Sequence, residues 1–206
     1  WIYKVNAGAT RLKHVLAEQG IQIHKLPPPE GGVISHLGVT RIVDKGADKG
    51  ALIYTERKVY ANNSGDLLCT LSNTMFCRAD GGFGGPSGPV RPPQEIPQRS
   101  ADQTCELPSL RQSALIYRLC GDQNPLHIDP TVARAAGFER PILHGLCTFG
   151  MAGHALRKTF CNYDPGKLLS VAGRFSAPVF PGETIRVEMW RDEEAVLFRA
   201  TVPERN

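Results

Sequence analysis

The chain has 206 residues, 41% hydrophobic and 21% charged, with a formal charge of +4, which is length enough for one large domain or two small ones around a proper core. The mild basic excess, with no basic run interleaved with aromatics, argues against a nucleic-acid partner, and no apolar run approaches a membrane span. The six cysteines, Cys69, Cys77, Cys105, Cys120, Cys147 and Cys161, match no zinc or redox spacing and point to a reducing compartment; no secretory apolar region follows Trp1.

In chain order, TRLKHVLAEQGIQIHKLPPP (10–29) admits a helix at its beginning, whereas IQIHKL alternates as a strand does and ends at a proline stop. GVTRIVDKG (38–46) is apolar and β-branched and breaks at Asp44-Lys45-Gly46. ALIYTERKVYA (51–61) alternates in part, as a half-buried strand should. A turn at Asn62-Asn63-Ser64-Gly65 leads into a further strand pattern, DLLCTLSNTMFCRA (66–79). Gly and Pro then crowd GGFGGPSGPVRPPQEIPQR (81–99), which reads as a flexible connection.

Beyond it, SALIYRLCG (113–121) has helical apolar spacing and a glycine end. IDPTVARAAGF (128–138) predicts a short helix, capped by Asp129 with Pro130 in its first turn. GLCTFGMAGHALRKTF (145–160) is the strongest helix signal; its apolar and small residues predict a buried, closely packed element. LLSVAGRFSAPVF (168–180), a Pro181-Gly182 turn, ETIRVEMWRD (183–192) and AVLFRATV (195–202) predict three strands. The strand-turn-strand-strand order after Gly38 recurs after Gly173, suggesting two related halves. The chain therefore divides into a first half over 1–80, a connecting segment over 81–104, and a second half over 105–206.

The decapeptide GDQNPLHIDP (121–130) stands apart. A core strand could not bury so much polarity unpaired, and a helix could not run through its prolines. Pro125 and Pro130 stiffen the loop, and a stiff loop fixes side-chain geometry. Asp122 and His127 can share a water and move its protons, and Asn124 can orient one of them. Cys120 and Cys147 lie close in sequence, but nothing beside them marks a nucleophile. GGFGG lacks the strand-then-helix setting and terminal lysine of a nucleotide loop. His154, inside the apolar helix, reads as a core histidine.

YRLCGDQNPLHIDPTVARAAGFERPILHGLCTFG (117–150) resembles the signature of the hydratase 2 family, also called MaoC-like dehydratases. The likeness extends to the hydratase 2 domain of peroxisomal multifunctional enzyme type 2. It continues through GRFSAPVFPGETIRVEMW (173–190) and reaches the first half at IVDKG (42–46) and GGFGG (81–85). The resemblance implies an α+β double hot dog, two curved antiparallel sheets each wrapped on a helix. It implies an (R)-specific 2-enoyl-CoA hydratase of fatty acid β-oxidation, which adds water reversibly to a trans-2-enoyl-CoA and gives the (3R)-3-hydroxyacyl-CoA. The acyl-CoA is the substrate; no metal and no cofactor is expected. A homodimer in the peroxisome is implied as well, although ERN is no peroxisomal address, and the cytoplasm or mitochondrion is the other expectation.

By the same resemblance the acid–base pair falls on Asp122 and His127, with Asn124 nearby, and which of the pair takes the water proton stays open. The thioester oxygen would be held by the backbone N–H of Gly145, where a helix N-terminus offers unpaired donors and a positive dipole end. Lys45, Gln123, Pro125, Leu126 and Phe175 match positions that contact the acyl-CoA. His144 would serve as backbone scaffold. The chain departs from the family pattern in three places. Ala17-Glu18 stand where a His-Gly pair is usual; the stretch holding the first half's helix is absent between Ala9 and Thr10; and the last strand would lie beyond Asn206. The first two departures favour a second reading, a non-catalytic acyl-CoA-binding module. A third reading is a hot-dog dehydratase or thioesterase acting on another acyl thioester.

Overall fold

A computed structural model describes residues 14–90, 92–193 and 195–205. The start of the 10–29 segment and the junction at Ala9-Thr10 lie outside the described residues. The chain divides into two compact units, the first running to Pro92 and including Leu168–Ser176, the second comprising Pro93–Lys167 and the chain from Ala177 onward.

Unit 1 is built from strands β1 (His14–Ile23), β2 (Val33–Asp44), β3 (Ala51–Ala61) and β4 (Leu67–Cys77), joined by β6 (Ser170–Arg174) from later in the chain. They form one antiparallel sheet in the order β2-β3-β4-β1-β6. From His14 on, the helical option is not taken. β1 has β4 on one side and β6 on the other, so two neighbours claim its backbone groups, and sheet pairing overrides local spacing. Among the described residues, unit 1 contains no helix. Its edge strand β2 leaves Val33, Ile34, Leu37, Val39 and Ile42 exposed.

The Gly-rich run is not a free connector. Asp44, buried at the end of β2, accepts N–H groups from Gly46 at 2.9 Å, Gly82 at 2.7 Å and Gly84 at 2.9 Å. These backbone bonds, that from Gly82 foremost, hold its carboxyl below the ordinary range. Glycine is required there: a Cβ on Gly81 would lie 2.1 Å from the Gly46 carbonyl oxygen and 2.5 Å from that of Gly50. Further along, Asp44 N–H donates to Pro86 O and Arg41 to Pro89 O.

Unit 2 holds a three-stranded antiparallel sheet in the order β5-β7-β8, with β5 at Gln103–Pro108, β7 at Thr184–Asp192 and β8 at Ala195–Thr201. The central strand shows why. Ile185, Val187 and Met189 alternate on its buried face, each contributing about 1.5–3 kcal/mol by leaving water. On the alternate positions Arg186 pairs with Glu106 of β5 and Glu188 with Arg199 of β8. QTCELP carried no strand expectation: it is a short edge strand ending in a proline, which an edge tolerates.

Helices α1 (Ser113–Tyr117), α2 (Pro130–Ala135) and α3 (Gly145–Phe160) follow the predicted positions, although α1 passes into a 3-10 turn at Arg118–Cys120. Asp129 caps α2 by accepting from Thr131 N–H at 2.7 Å. The helix α3 packs against β5 and β7. It is less buried than predicted: Ala152, Ala155 and Leu156 face inward, while Leu146, Gly150 and His154 are exposed. Its small residues raise apolar character without adding much area to bury. His154 is thus no core histidine; its ring lies 5.7 Å from that of Tyr163.

The glycine-rich loop gathered by Asp44 makes a sharp stability contrast. Gly81→Ala is expected to destabilise the protein by about 1–3 kcal/mol through overpacking, whereas Gly38→Ala, with nothing within 4 Å of its Cβ, should change stability by under about 0.5 kcal/mol. Urea unfolding of both variants checks this.

Candidate active site

The loop between α1 and α2 turns on short local bonds. Gly121 ends the 3-10 turn at φ 108°, a conformation open to glycine. Asp122 Oδ1 then accepts the N–H of Asn124 at 3.2 Å, and Asn124 Oδ1 accepts the N–H of Leu126 at 3.1 Å. The two side chains fold the backbone into a 3-10 turn over Pro125–His127. Leu126 and His127 point inward and are buried; Asp122, Gln123 and Pro125 are exposed.

His127 is anchored by Nδ1, 2.8 Å from the carbonyl oxygen of Ile142. That oxygen can only accept, so neutral His127 carries its proton on Nδ1 and leaves a lone pair on Nε2. Burial pushes the imidazole down to about 4. The Ile142 carbonyl and the Asp122 charge pull the other way, and His144 adds to the fall. His127 is therefore uncharged at neutral pH.

His144, expected as scaffold, lies in the site. It is 1% exposed. Its ring stacks on that of His127, with centroids 3.7 Å apart and planes 26° from parallel, and the Tyr117 ring lies 4.7 Å from it. Its Nε2 is 3.2 Å from the Asp122 carbonyl oxygen, and its buried Nδ1 has no partner. Burial lowers its pKa too. One atom each of Asp122, His127 and His144 lie within 4.8 Å of one another.

His144 is also the N-cap of α3, and no side chain caps that helix. The first N–H groups of a helix have no intrahelical partner, so those of Gly145 and Leu146 are available to an acceptor. Burial raises the thiol pKa of Cys147, the third residue of the helix. Beside His127 an open cavity of about 660 Å³ is lined by Arg111, Leu115, Arg140, Pro181 and Glu183 among others. Sequence reading took His144 for backbone scaffold and did not single out Tyr117, the Ile142 carbonyl or these arginines. Only His144 carried a signal, its place immediately before Gly145.

Lys45 and Phe175 belong to unit 1. Lys45 is exposed, with Nζ 5.1 Å from the centre of the Phe76 ring. Phe175 is half-buried, and its N–H donates to Ala17 O at 2.9 Å. Ala17 sits in a bulge of β1. Glu18, where the family pattern has glycine, bonds Arg174 at 2.8 Å and Thr74 at 2.9 Å.

Residues 89–205 match the family described as MaoC like domain, and the chain belongs to that family, the MaoC-like dehydratases. It is 41% identical over 198 residues to a protein of Arabidopsis thaliana named enoyl-CoA hydratase 2, peroxisomal, a match covering 92% of this chain and 63% of that protein. A solved MaoC-like dehydratase from Phytophthora Capsici superposes with a TM-score of 0.86 at 38% identity, covering 95% of this chain and 68% of that one. Full-length peroxisomal multifunctional enzyme type 2 from Drosophila melanogaster gives 0.83 at 38% identity, over 93% of this chain and 34% of that one. The fold is the α+β double hot dog, with a helix against the sheet of unit 2 and none among the described residues of unit 1. The chain spans 63% of the length of the Arabidopsis protein.

The buried imidazole links protonation to stability. Its folded value of about 4 lies below the ordinary 6.5, so between them the unfolded chain binds a proton that the folded chain refuses. This contribution is complete above about pH 6.5 and is lost progressively as pH falls toward about 4. The midpoint of thermal unfolding should fall between about pH 7 and pH 5, and less so in His127→Leu; calorimetry across that range checks it.

Proposed function

We propose that this chain carries (R)-specific 2-enoyl-CoA hydratase activity, the reversible addition of water to trans-2-enoyl-CoA giving (3R)-3-hydroxyacyl-CoA, within fatty acid β-oxidation. One observation carries the reading: an imidazole held neutral with Nε2 free, beside the Asp122 carboxylate and next to an uncapped helix N-terminus. The names of the Arabidopsis and Drosophila relatives support it.

The chemistry needs a base, a proton for carbon and a place for negative charge. A water held between Asp122 and His127 gives a proton to Nε2 of His127 while its oxygen bonds the β-carbon of the enoyl thioester. The π electrons shift toward the thioester oxygen, where the Gly145 N–H and the positive end of α3 stabilise the developing enolate. The imidazolium then returns the proton to the α-carbon. One water has been added and the protein is unchanged. Asp122 orients the water by accepting its other hydrogen, and Asn124 keeps the loop's shape. Gln123, Pro125 and Leu126 of the loop add acyl-CoA contacts in this reading. A peroxisomal location and a homodimeric state belong to the same proposal, on resemblance to the family.

Enoyl thioester absorbance on adding the protein to crotonyl-CoA and decenoyl-CoA tests it. Turnover is expected, with Asp122→Asn and His127→Gln each reducing kcat by about 10²–10⁴ while the fold persists. Because His127 stays neutral down to about pH 4, the acid limb of kcat/KM should lie well below that of an ordinary histidine. Calorimetric binding without turnover would make the chain an acyl-CoA-binding module, and release of free thiol would make it a thioesterase.

A further inference from the structure

We propose that His144 is a positioning residue that holds the Asp122–His127 couple in register, through a hydrogen bond to the backbone of one and a ring stack against the other. The inference rests on the hydratase reading for its kinetic consequence, and on geometry for its substance.

Asp122 is exposed, and a 3.2 Å bond from His144 Nε2 ties its carbonyl to the second segment of the site. A carbonyl oxygen only accepts, so His144 carries its proton on Nε2 and a lone pair on Nδ1. The unpartnered Nδ1 is the signature of that choice. A buried polar atom without a partner is unfavourable, so a histidine is poorly suited to this place as mere filling. Apolar residues of similar size would fill the space between Tyr117 and His127 without an orphan nitrogen. The imidazole supplies what they cannot, a flat face for His127 and an N–H for Asp122 at once. Because His144 also precedes Gly145, the same residue ties the acid–base couple to the helix end that would receive the thioester oxygen.

The charged and titratable groups near the pair come from several elements. Asp122 lies on the loop, Arg118 and Tyr117 on the segment before it, and Cys147 on α3. Arg111, Arg140 and Glu183 line the cavity beside His127. Replacing His144 by phenylalanine keeps the stack and leaves all of these in place while deleting the bond to Asp122. Replacing it by glutamine keeps a donor and deletes the stack.

The experiment is steady-state kinetics across pH for the parent, His144→Phe and His144→Gln, with folding followed by circular dichroism and His127 titrated by NMR. Both variants should lose roughly 10- to 100-fold in kcat with KM within about threefold, as expected of small misplacement of reacting groups. In His144→Phe, which removes the ring whose electrostatic influence opposes protonation of His127, the His127 titration should move upward. A folded His144→Phe with parental kcat and an unmoved His127 titration overturns the proposal, as does a kcat loss that only tracks the unfolded fraction. If neither variant folds, the nitrogen shifts of the unsubstituted protein decide: Nε2-protonated His144 upholds it and Nδ1-protonated His144 overturns it. A parent that hydrates no enoyl-CoA fails the hydratase reading alone, since the NMR titration and tautomer need no turnover.

Discussion

The hydrogen bond from His127 Nδ1 to the carbonyl oxygen of Ile142 is the contact on which the site depends. It joins two segments far apart in sequence, the stiff loop after Gly121 and the approach to α3. A neutral hydrogen bond contributes only about 0.5–1.5 kcal/mol net, but an unpaired buried nitrogen would cost about 1–3 kcal/mol. The bond therefore acts less as glue than as a selector: other placements of the loop leave a buried donor unsatisfied. It also selects the tautomer, and with it the face on which the lone pair stands. The chemistry proposed for the site follows from that one choice of proton.

The neighbouring segments show how little side-chain chemistry such a site needs. Asp122 and Asn124 fold the loop with their own oxygens, while Asp129 starts α2. The polar residues of the decapeptide thus shape the backbone that holds His127 beside the cavity. Unit 1 uses the same device at Asp44, where one carboxylate gathers three glycine N–H groups and converts a run that looks like a loose tether into a fixed loop.

How much of this was legible in the sequence differed by the range of the interaction. Strands with strict alternation, such as Thr184–Asp192, and the helix Gly145–Phe160 were readable because their signals are local. The Asp122–Asn124–His127 loop was readable because so polar a segment between prolines has few structural uses. β1 was ambiguous because its pairing with β4 and β6 is settled by residues far along the chain. The exposure of His154 was misjudged because small residues count as apolar while burying little. His144 was read as scaffold because its partners, a carbonyl at Asp122 and a ring at position 127, are brought together only by the fold.

The contrast between Asp122 and His127 bears on why the two are neighbours at all. Two titratable groups with similar surroundings would compete for the same proton. Here one is exposed on the loop and the other is buried with its charge disfavoured, and such a difference in environment is what separates roles in an acid–base pair. The buried imidazole is poised to receive a proton and, being reluctant to keep it, to give it up again. That reluctance suits a reversible reaction, in which the same nitrogen must serve as base in one direction and acid in the other. The cost of keeping His127 dry is carried by the stacked His144 and the Ile142 carbonyl, so the stability of the loop and the reactivity of the site have a common physical origin.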